Sequence, residues 1–129
     1  MKVKWIAVEA AMQIHADQLA EHGGGIGVRD AGRIEAAMAR PQTVASYSAD
    51  ADLERLASAY AHGLSKGHPF VDGNKRTAWV VARTFLLING FRLTATLDER
   101  YEKMYALASG DLTEDEFAEW LRGVTVPTN

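Results

Sequence analysis

Apolar residues recur at intervals of three and four along most of the chain, as they do on one face of an amphipathic helix. The clearest stripes are Val8, Ala11, Met12, His15 and Leu19, then Leu53, Leu56, Ala57, Tyr60, Ala61 and Leu64, and later Tyr101, Met104, Tyr105 and Ala108. Few segments alternate as strands do, and only residues 91–96 are expected to be short and extended. The pattern predicts an all-α fold.

Turn-forming and capping residues set the expected ends of the first two helices. The glycines at 23–25 stop the first helix, and together with Gly27 they are expected to form a flexible turn. Asp30 can cap a second helix that runs to Arg40. Pro41 should end that helix and leave residues 41–50 as a polar loop.

A nearly continuous apolar segment occupies the middle of the chain. Residues 74–89 are apolar on nearly every face before Gly90 ends them, which is typical of a buried central helix. Gly67 is expected to stop the helix before it. A last helix begins at the capping box formed by Thr113 and Glu116. Because 129 residues suffice for one compact core, we expect a single domain spanning residues 1–129, a helical bundle around the central helix.

The segment before the central helix carries the most informative residues of the chain. Residues 68–76 read HPFVDGNKR, in which Pro69 and Gly73 let the chain turn sharply. A helix N-terminus has unpaired N–H groups and a partial positive charge, so it favours an anion. Lys75 and Arg76 add full positive charges. The segment predicts a phosphate site.

The other side chains of this segment suit a nucleotide with a metal ion. Asp72, an anion in cationic surroundings, is best explained as the ligand of a divalent metal that bridges phosphates. Asn74 can donate or accept hydrogen bonds. His68 is a candidate general base, because imidazole exchanges its proton near neutral pH. Phe70 is expected to point into the core and anchor the loop.

Each of these residues also has a structural interpretation when taken alone. Short polar residues before a helix are usually caps, and cations in a first turn are usually solvated. A zinc site made of His62, His68 and Asp72 would match no common ligand spacing. We expect His62 to face solvent and His15, on an apolar face, to be a hydrogen-bonded core histidine.

The ordered string as a whole is similar to the signature of the Fic/Doc superfamily, and closest to its Doc branch of bacterial toxins. The segment GVRDAGRIEAAMARPQ at 27–42 resembles the upstream block of that branch, and NKRTA followed by FLLINGF continues the pattern to residue 91. The resemblance covers nearly the whole chain. It implies ATP as substrate, Mg²⁺ at Asp72, His68 as the base, and a phosphate site lined by Gly73, Asn74, Lys75 and Arg76. Arg29 and Asp30 could then face the site, or be a cap and its partner.

Lys75 is the position that distinguishes two reactions within this resemblance. Fic enzymes that transfer AMP have glycine there, whereas the Doc branch has lysine and is implicated in transferring the terminal phosphate of ATP. Pro69, Val71 and Gly73 match the broader Fic consensus instead, so AMP transfer is the alternative. A second alternative is a non-catalytic module that only holds nucleotide or phosphate. The presence of both His68 and Asp72 argues against it, since a pure binder needs no base.

The resemblance also implies two protein partners. One is an antitoxin of the Phd type, and the other is translation elongation factor Tu, whose modification would halt protein synthesis. The net charge of −3 gives no general reason to expect nucleic-acid binding. The absence of cysteine and of a long apolar run at the N-terminus predicts a cytoplasmic protein that does not enter the membrane.

Overall fold

The computed structural model describes residues 2–128, and its regular elements are nearly all helical. In chain order they are α1 (Val8–His22), α2 (Ala31–Tyr47), α3 (Leu53–Gly67), α4 (Asn74–Ile88), β1 (Phe91–Leu93), α5 (Leu97–Ser109), α6 (Glu114–Gly123) and β2 (Thr125–Pro127). The all-α prediction is confirmed. None of the helices in the described residues is long and apolar enough to cross a membrane.

Two helices, α3 and α4, form the centre of the bundle. Helix α3 packs against α2, α4, α5 and α6, and α4 packs against α1, α3 and α5. Their facing side chains, including Tyr60 on α3 and Phe85 on α4, are completely buried. Helix α4 lies where the apolar segment predicts it, but Leu87 and Ile88, in its last turn, are exposed. The motif segment therefore connects the two most buried helices.

Helix α2 is longer than its sequence predicts. Pro41 lies inside the helix, which continues to Tyr47, so the expected end at Pro41 and the polar loop over 41–50 are wrong. Proline removes one backbone hydrogen bond, but the ring of Pro41 is buried and the following turn packs Val44 and Ala45 against the core. We attribute the continuation to this burial, which offsets the local cost.

Helix α3 ends at Gly67, immediately before His68, as predicted. The next residue, His68, has the left-handed conformation that ends the helix, with φ 47° and ψ 52°. His68 is the one non-glycine residue with positive φ in the described chain. Histidine adopts this conformation more readily than most residues, but at some cost in strain.

The C-terminal half contains two further differences. In α5 the buried residues are Met104 and Leu107, whereas Tyr101 and Tyr105 are exposed, so the predicted stripe is wrong for both tyrosines. The reason is that α5 packs through a face offset from the tyrosines, which keep their phenol groups in solvent. The extended segment after Gly90 does occur, and it pairs antiparallel with the unpredicted strand β2. The capping box of Thr113 and Glu116 is confirmed.

Candidate active site

The motif loop, residues 68–73, runs from the end of α3 to the start of α4. His68 is exposed at its beginning, whereas Phe70 is buried, with 1% of its surface exposed. Asn74 joins the loop to α4, because its side chain accepts a hydrogen bond from Phe70 N–H and donates one to Phe70 C=O, both 3.0 Å long. The Asn74 side chain therefore braces the loop, and a phosphate at this position would meet its backbone N–H.

Helix α1 contacts the loop through His15. The imidazole of His15 stacks on the ring of Phe70, with centroids 3.7 Å apart and planes 7° apart. Its Nε2–H donates a hydrogen bond of 2.8 Å to the carbonyl oxygen of Asp72, since a carbonyl can only accept. The expectation of a hydrogen-bonded core histidine at position 15 is confirmed, because His15 is only 6% exposed.

The glycine segment, residues 23–30 between α1 and α2, lies alongside the loop. Val28 and Phe70 form an antiparallel bridge, and Val71 N–H donates to Gly27 C=O over 3.1 Å. The backbone N–H groups of Arg29 and Asp30 both donate to Pro69 C=O. Of the glycines at 23–25 and 27, which we expect to form a flexible turn, Gly27 is thus hydrogen-bonded to the loop, and residues 28–30 form a second layer on it. The Asp30 side chain caps α2, accepting from Arg33 N–H, and it forms an ion pair with the Arg33 side chain.

Two backbone N–H groups hold the carboxylate of Asp72. Gly73 N–H donates to Oδ1 over 2.8 Å, and Gly25 N–H donates to Oδ2 over 3.2 Å. These hydrogen bonds, from Gly25 and then Gly73, lower the pKa of Asp72 below its ordinary value of 3.8, and the charges of Arg76 and Lys75 lower it further. Asp72 is exposed, so each oxygen can accept another partner. Asp72 is thus an ionised, oriented carboxylate, which is what a magnesium ligand requires.

A cavity of about 280 Å³ collects the polar residues of the motif. It is lined by His68, Val71, Asp72, Gly73, Asn74, Lys75 and Arg76. Gly73 is the N-cap of α4 with a left-handed backbone (φ 77°), and as a glycine it has no side chain to cap the first turn of the helix. Its N–H groups are therefore available to an anion in this motif cavity, next to two cations.

A second cavity, of about 200 Å³, adjoins the first on the side of α5. We call it the α5 cavity, and it is lined by His68, Lys75, Tyr105, Ala108 and Ser109. His68 and Lys75 line both cavities. The Nζ atom of Lys75 lies 5.5 Å from the ring centroid of Tyr105, within range of a cation–π interaction. The periodicity of α5 predicts a core position for Tyr105, whereas the structure exposes Tyr105 and places it beside Lys75 in the α5 cavity.

A zinc site has no structural support. No group of three or more histidine, cysteine or acidic side chains is placed to hold a metal within residues 2–128. His62 is half-buried rather than solvent-facing, and its Nδ1 lies 3.7 Å from Glu114. Glu114 in turn pairs with Arg40 and Arg55, so His62 belongs to a charge cluster between α2, α3 and α6. The contacts of His62 therefore connect helices of the bundle and do not form a metal site.

Comparison with known proteins places the site in a family. Residues 5–86, which include the whole motif, match the model of the Fic/DOC family. The chain is 46% identical over 104 residues to the protein named Toxin Doc of Mycolicibacterium smegmatis, covering 78% of this chain and 80% of the relative. It is 31% identical over 120 residues to the protein named Protein kinase doc of Escherichia phage P1, covering 93% of this chain and 94% of the relative.

Proposed function

This chain belongs to the Fic/Doc family, and we propose that it is a Doc-type toxin that acts as a protein kinase. The names of two relatives, one a toxin and one a protein kinase, support this proposal. The reaction would transfer the terminal phosphate of ATP to a serine or threonine hydroxyl. The observation that carries the proposal is the motif cavity, in which a candidate base, a carboxylate and an uncapped helix N-terminus with two cations meet.

His68 would start the reaction. It is exposed at the junction of the motif cavity and the α5 cavity, so an incoming hydroxyl can reach its imidazole. The imidazole accepts the hydroxyl proton while the hydroxyl oxygen forms a bond to the terminal phosphorus. The bond between that phosphorus and the bridging oxygen breaks, and ADP leaves with the electron pair. No covalent enzyme intermediate is needed.

The start of α4 would stabilise the charge on the phosphates. Phosphoryl transfer depends mainly on positioning and on fixed charges aimed at the phosphate oxygens. The backbone N–H groups after Gly73, together with Lys75 and Arg76, provide such charges on one side of the cavity. The Asn74 side chain keeps this arrangement in place by bracing Phe70.

Asp72 is the residue that fits a magnesium ion. Mg²⁺ prefers oxygen ligands and is commonly held by one or two carboxylates together with substrate phosphates and water. Asp72 is exposed and ionised, and its two oxygens are oriented by Gly25 and Gly73. When bound, magnesium would supply charge neutralisation between the phosphates.

AMP transfer is the second candidate reaction. Pro69, Val71 and Gly73 match the Fic consensus, and Gly73 gives the backbone a left-handed turn beside the cavity. Lys75 favours phosphate transfer, because its side chain lines the cavity where the AMP transferases have glycine. A non-catalytic module is less well supported, since the exposed His68 would then have no use.

Two partners follow from the proposal. A toxin of this branch would be held inactive by a Phd-like antitoxin, and elongation factor Tu is the proposed target in the cytoplasm. The direct test of the function is whether phosphate or AMP moves from ATP to a hydroxyl of that factor. ATP labelled on either the terminal or the innermost phosphate separates the two reactions, and His68→Ala is the control.

A further inference from the structure

The motif cation Lys75 lies against an aromatic ring that a different helix supplies. Its Nζ atom is 5.5 Å from the ring centroid of Tyr105 on α5, 30 positions further along the chain. A lysine ammonium this close to an aromatic ring is attracted by the negative face of the ring. A residue outside the motif therefore helps to determine the position of the Lys75 ammonium.

A contact of this kind is needed to hold the Lys75 ammonium at one position. Lysine is a compact charge on a flexible four-carbon stem, so an unrestrained ammonium samples many positions. Within residues 2–128, no carboxylate forms an ion pair with Lys75. Among the described residues, the contact that orients the ammonium is the Tyr105 ring.

Tyr105 is well placed to hold a charge without supporting the core. Tyr105 is 69% exposed, while its helical neighbours Met104 and Leu107 are buried and fix α5 against the bundle. A capping box, Thr96 with Glu99, also fixes the start of the helix. Replacing the ring should therefore change the position of Lys75 and leave the fold intact.

We infer that Tyr105 is a positioning residue for Lys75. Its ring holds the ammonium at the boundary between the motif cavity and the α5 cavity, where His68 also lies. There the charge lines the motif cavity, the proposed phosphate site. The contribution of this position to ATP binding rests on the proposed function, whereas the contact between Tyr105 and Lys75 does not depend on it.

The contact can be tested on the free protein by NMR. The aromatic ring should displace the chemical shifts of the Lys75 side-chain CH₂ groups nearest the ammonium. Tyr105→Leu should move these signals to the values of a solvated lysine, and Tyr105→Phe should leave them displaced. Tyr47→Leu, which removes another exposed tyrosine on α2, is the matched control and should have no effect. Lys75 signals that are unchanged in Tyr105→Leu would overturn the inference.

The consequence for nucleotide binding needs a second experiment. Titration with ATP and Mg²⁺ should show affinity weakened about two- to fivefold in Tyr105→Leu and restored in Tyr105→Phe, as expected for an exposed cation–π contact. In a Lys75→Met background, Tyr105→Leu should cause no further loss. An equal loss in both backgrounds would mean that Tyr105 does not act through Lys75. If the wild-type protein binds no ATP, the proposed function fails, and the NMR result alone still decides whether Tyr105 positions Lys75.

Discussion

The rings of His15 and Phe70 lie parallel, with their centroids 3.7 Å apart. One ring belongs to α1 and the other to the motif loop. The same imidazole donates a hydrogen bond to the carbonyl oxygen of Asp72, the proposed magnesium ligand. Helix α1 therefore fixes both the buried anchor of the loop and the backbone of its carboxylate.

Replacing His15 should loosen the motif loop. His15→Leu keeps an apolar side chain beneath Phe70 but leaves Asp72 C=O without its partner, which should cost about 2 kcal/mol of unfolding free energy. Urea denaturation would measure the cost. His22→Leu, at an exposed histidine of the same helix, should change stability by less than about 0.5 kcal/mol. Equal stability of the two variants would show that His15 does not support the loop.

A methyl group at Gly24 should disturb the Asp72 carboxylate directly. Gly24 has φ +130°, and an added Cβ would lie 2.9 Å from Asp72 Oδ2 and 3.1 Å from Leu19 Cδ2. Gly24→Ala should therefore weaken magnesium-dependent ATP binding, measured by calorimetric titration. Gly123→Ala is the control, because a Cβ at that position meets nothing within 4 Å. Undiminished binding by Gly24→Ala would mean that the segment after α1 does not shape the site.

Removing the charge of Asp72 should remove the magnesium dependence of ATP binding. Asp72→Asn preserves the size of the side chain, so the lost charge accounts for the change. Because the hydrogen bonds from Gly25 and Gly73 lower the pKa of Asp72 below 3.8, the wild-type protein should retain the dependence at pH 5. Asp50→Asn, at an exposed loop aspartate, should behave as wild type. An Asp72→Asn variant with the same magnesium dependence would contradict the assignment.

Glu114 should make stability depend on acid pH. Burial raises its pKa, but hydrogen bonds from Arg40 and Arg55 outweigh burial, and its pKa falls below 4.5. The folded protein thus binds this proton less readily than the unfolded chain, so the stabilisation is complete above pH 4.5 and is lost as pH falls below it. Glu114→Gln should cost about 2 kcal/mol at pH 7 and flatten the acid decline of stability.

The control variant for Glu114→Gln is Glu102→Gln, at an exposed position of α5. Denaturation at pH 7 and at pH 3 should give nearly the wild-type difference in unfolding free energy for this variant. If Glu114→Gln retained the full wild-type difference between the two pH values, the ionised Glu114 would not be the source of the acid sensitivity.

The local sequence was sufficient to predict the motif loop and most helices. Asp30, Thr113 and Glu116 cap helices within a few residues of themselves, and the residues from His68 to Arg76 meet because they are neighbours in the chain. Such features depend on short-range geometry, which a sequence pattern reports directly.

The structure differs from the sequence predictions where segments that are distant in the chain meet. Helix α2 continues through Pro41 because the following turn is buried against the core. The glycine segment is held by backbone hydrogen bonds to Pro69 and Val71, which no periodicity indicates. Tyr105 joins the site only because α5 packs beside the start of α4. These relationships depend on packing between helices.

In the proposed function, this chain transfers phosphate to a protein hydroxyl with His68 as the base. The most direct measurement incubates the protein with elongation factor Tu, magnesium and ATP labelled on the terminal or the innermost phosphate, beside a His68→Ala control. We predict that the factor acquires the terminal label only, and that His68→Ala transfers none while still binding ATP. Innermost label on the factor would contradict phosphate transfer and establish AMP transfer. Unaltered labelling by His68→Ala would contradict the role of His68, and absence of label from either ATP would contradict the kinase assignment for this target.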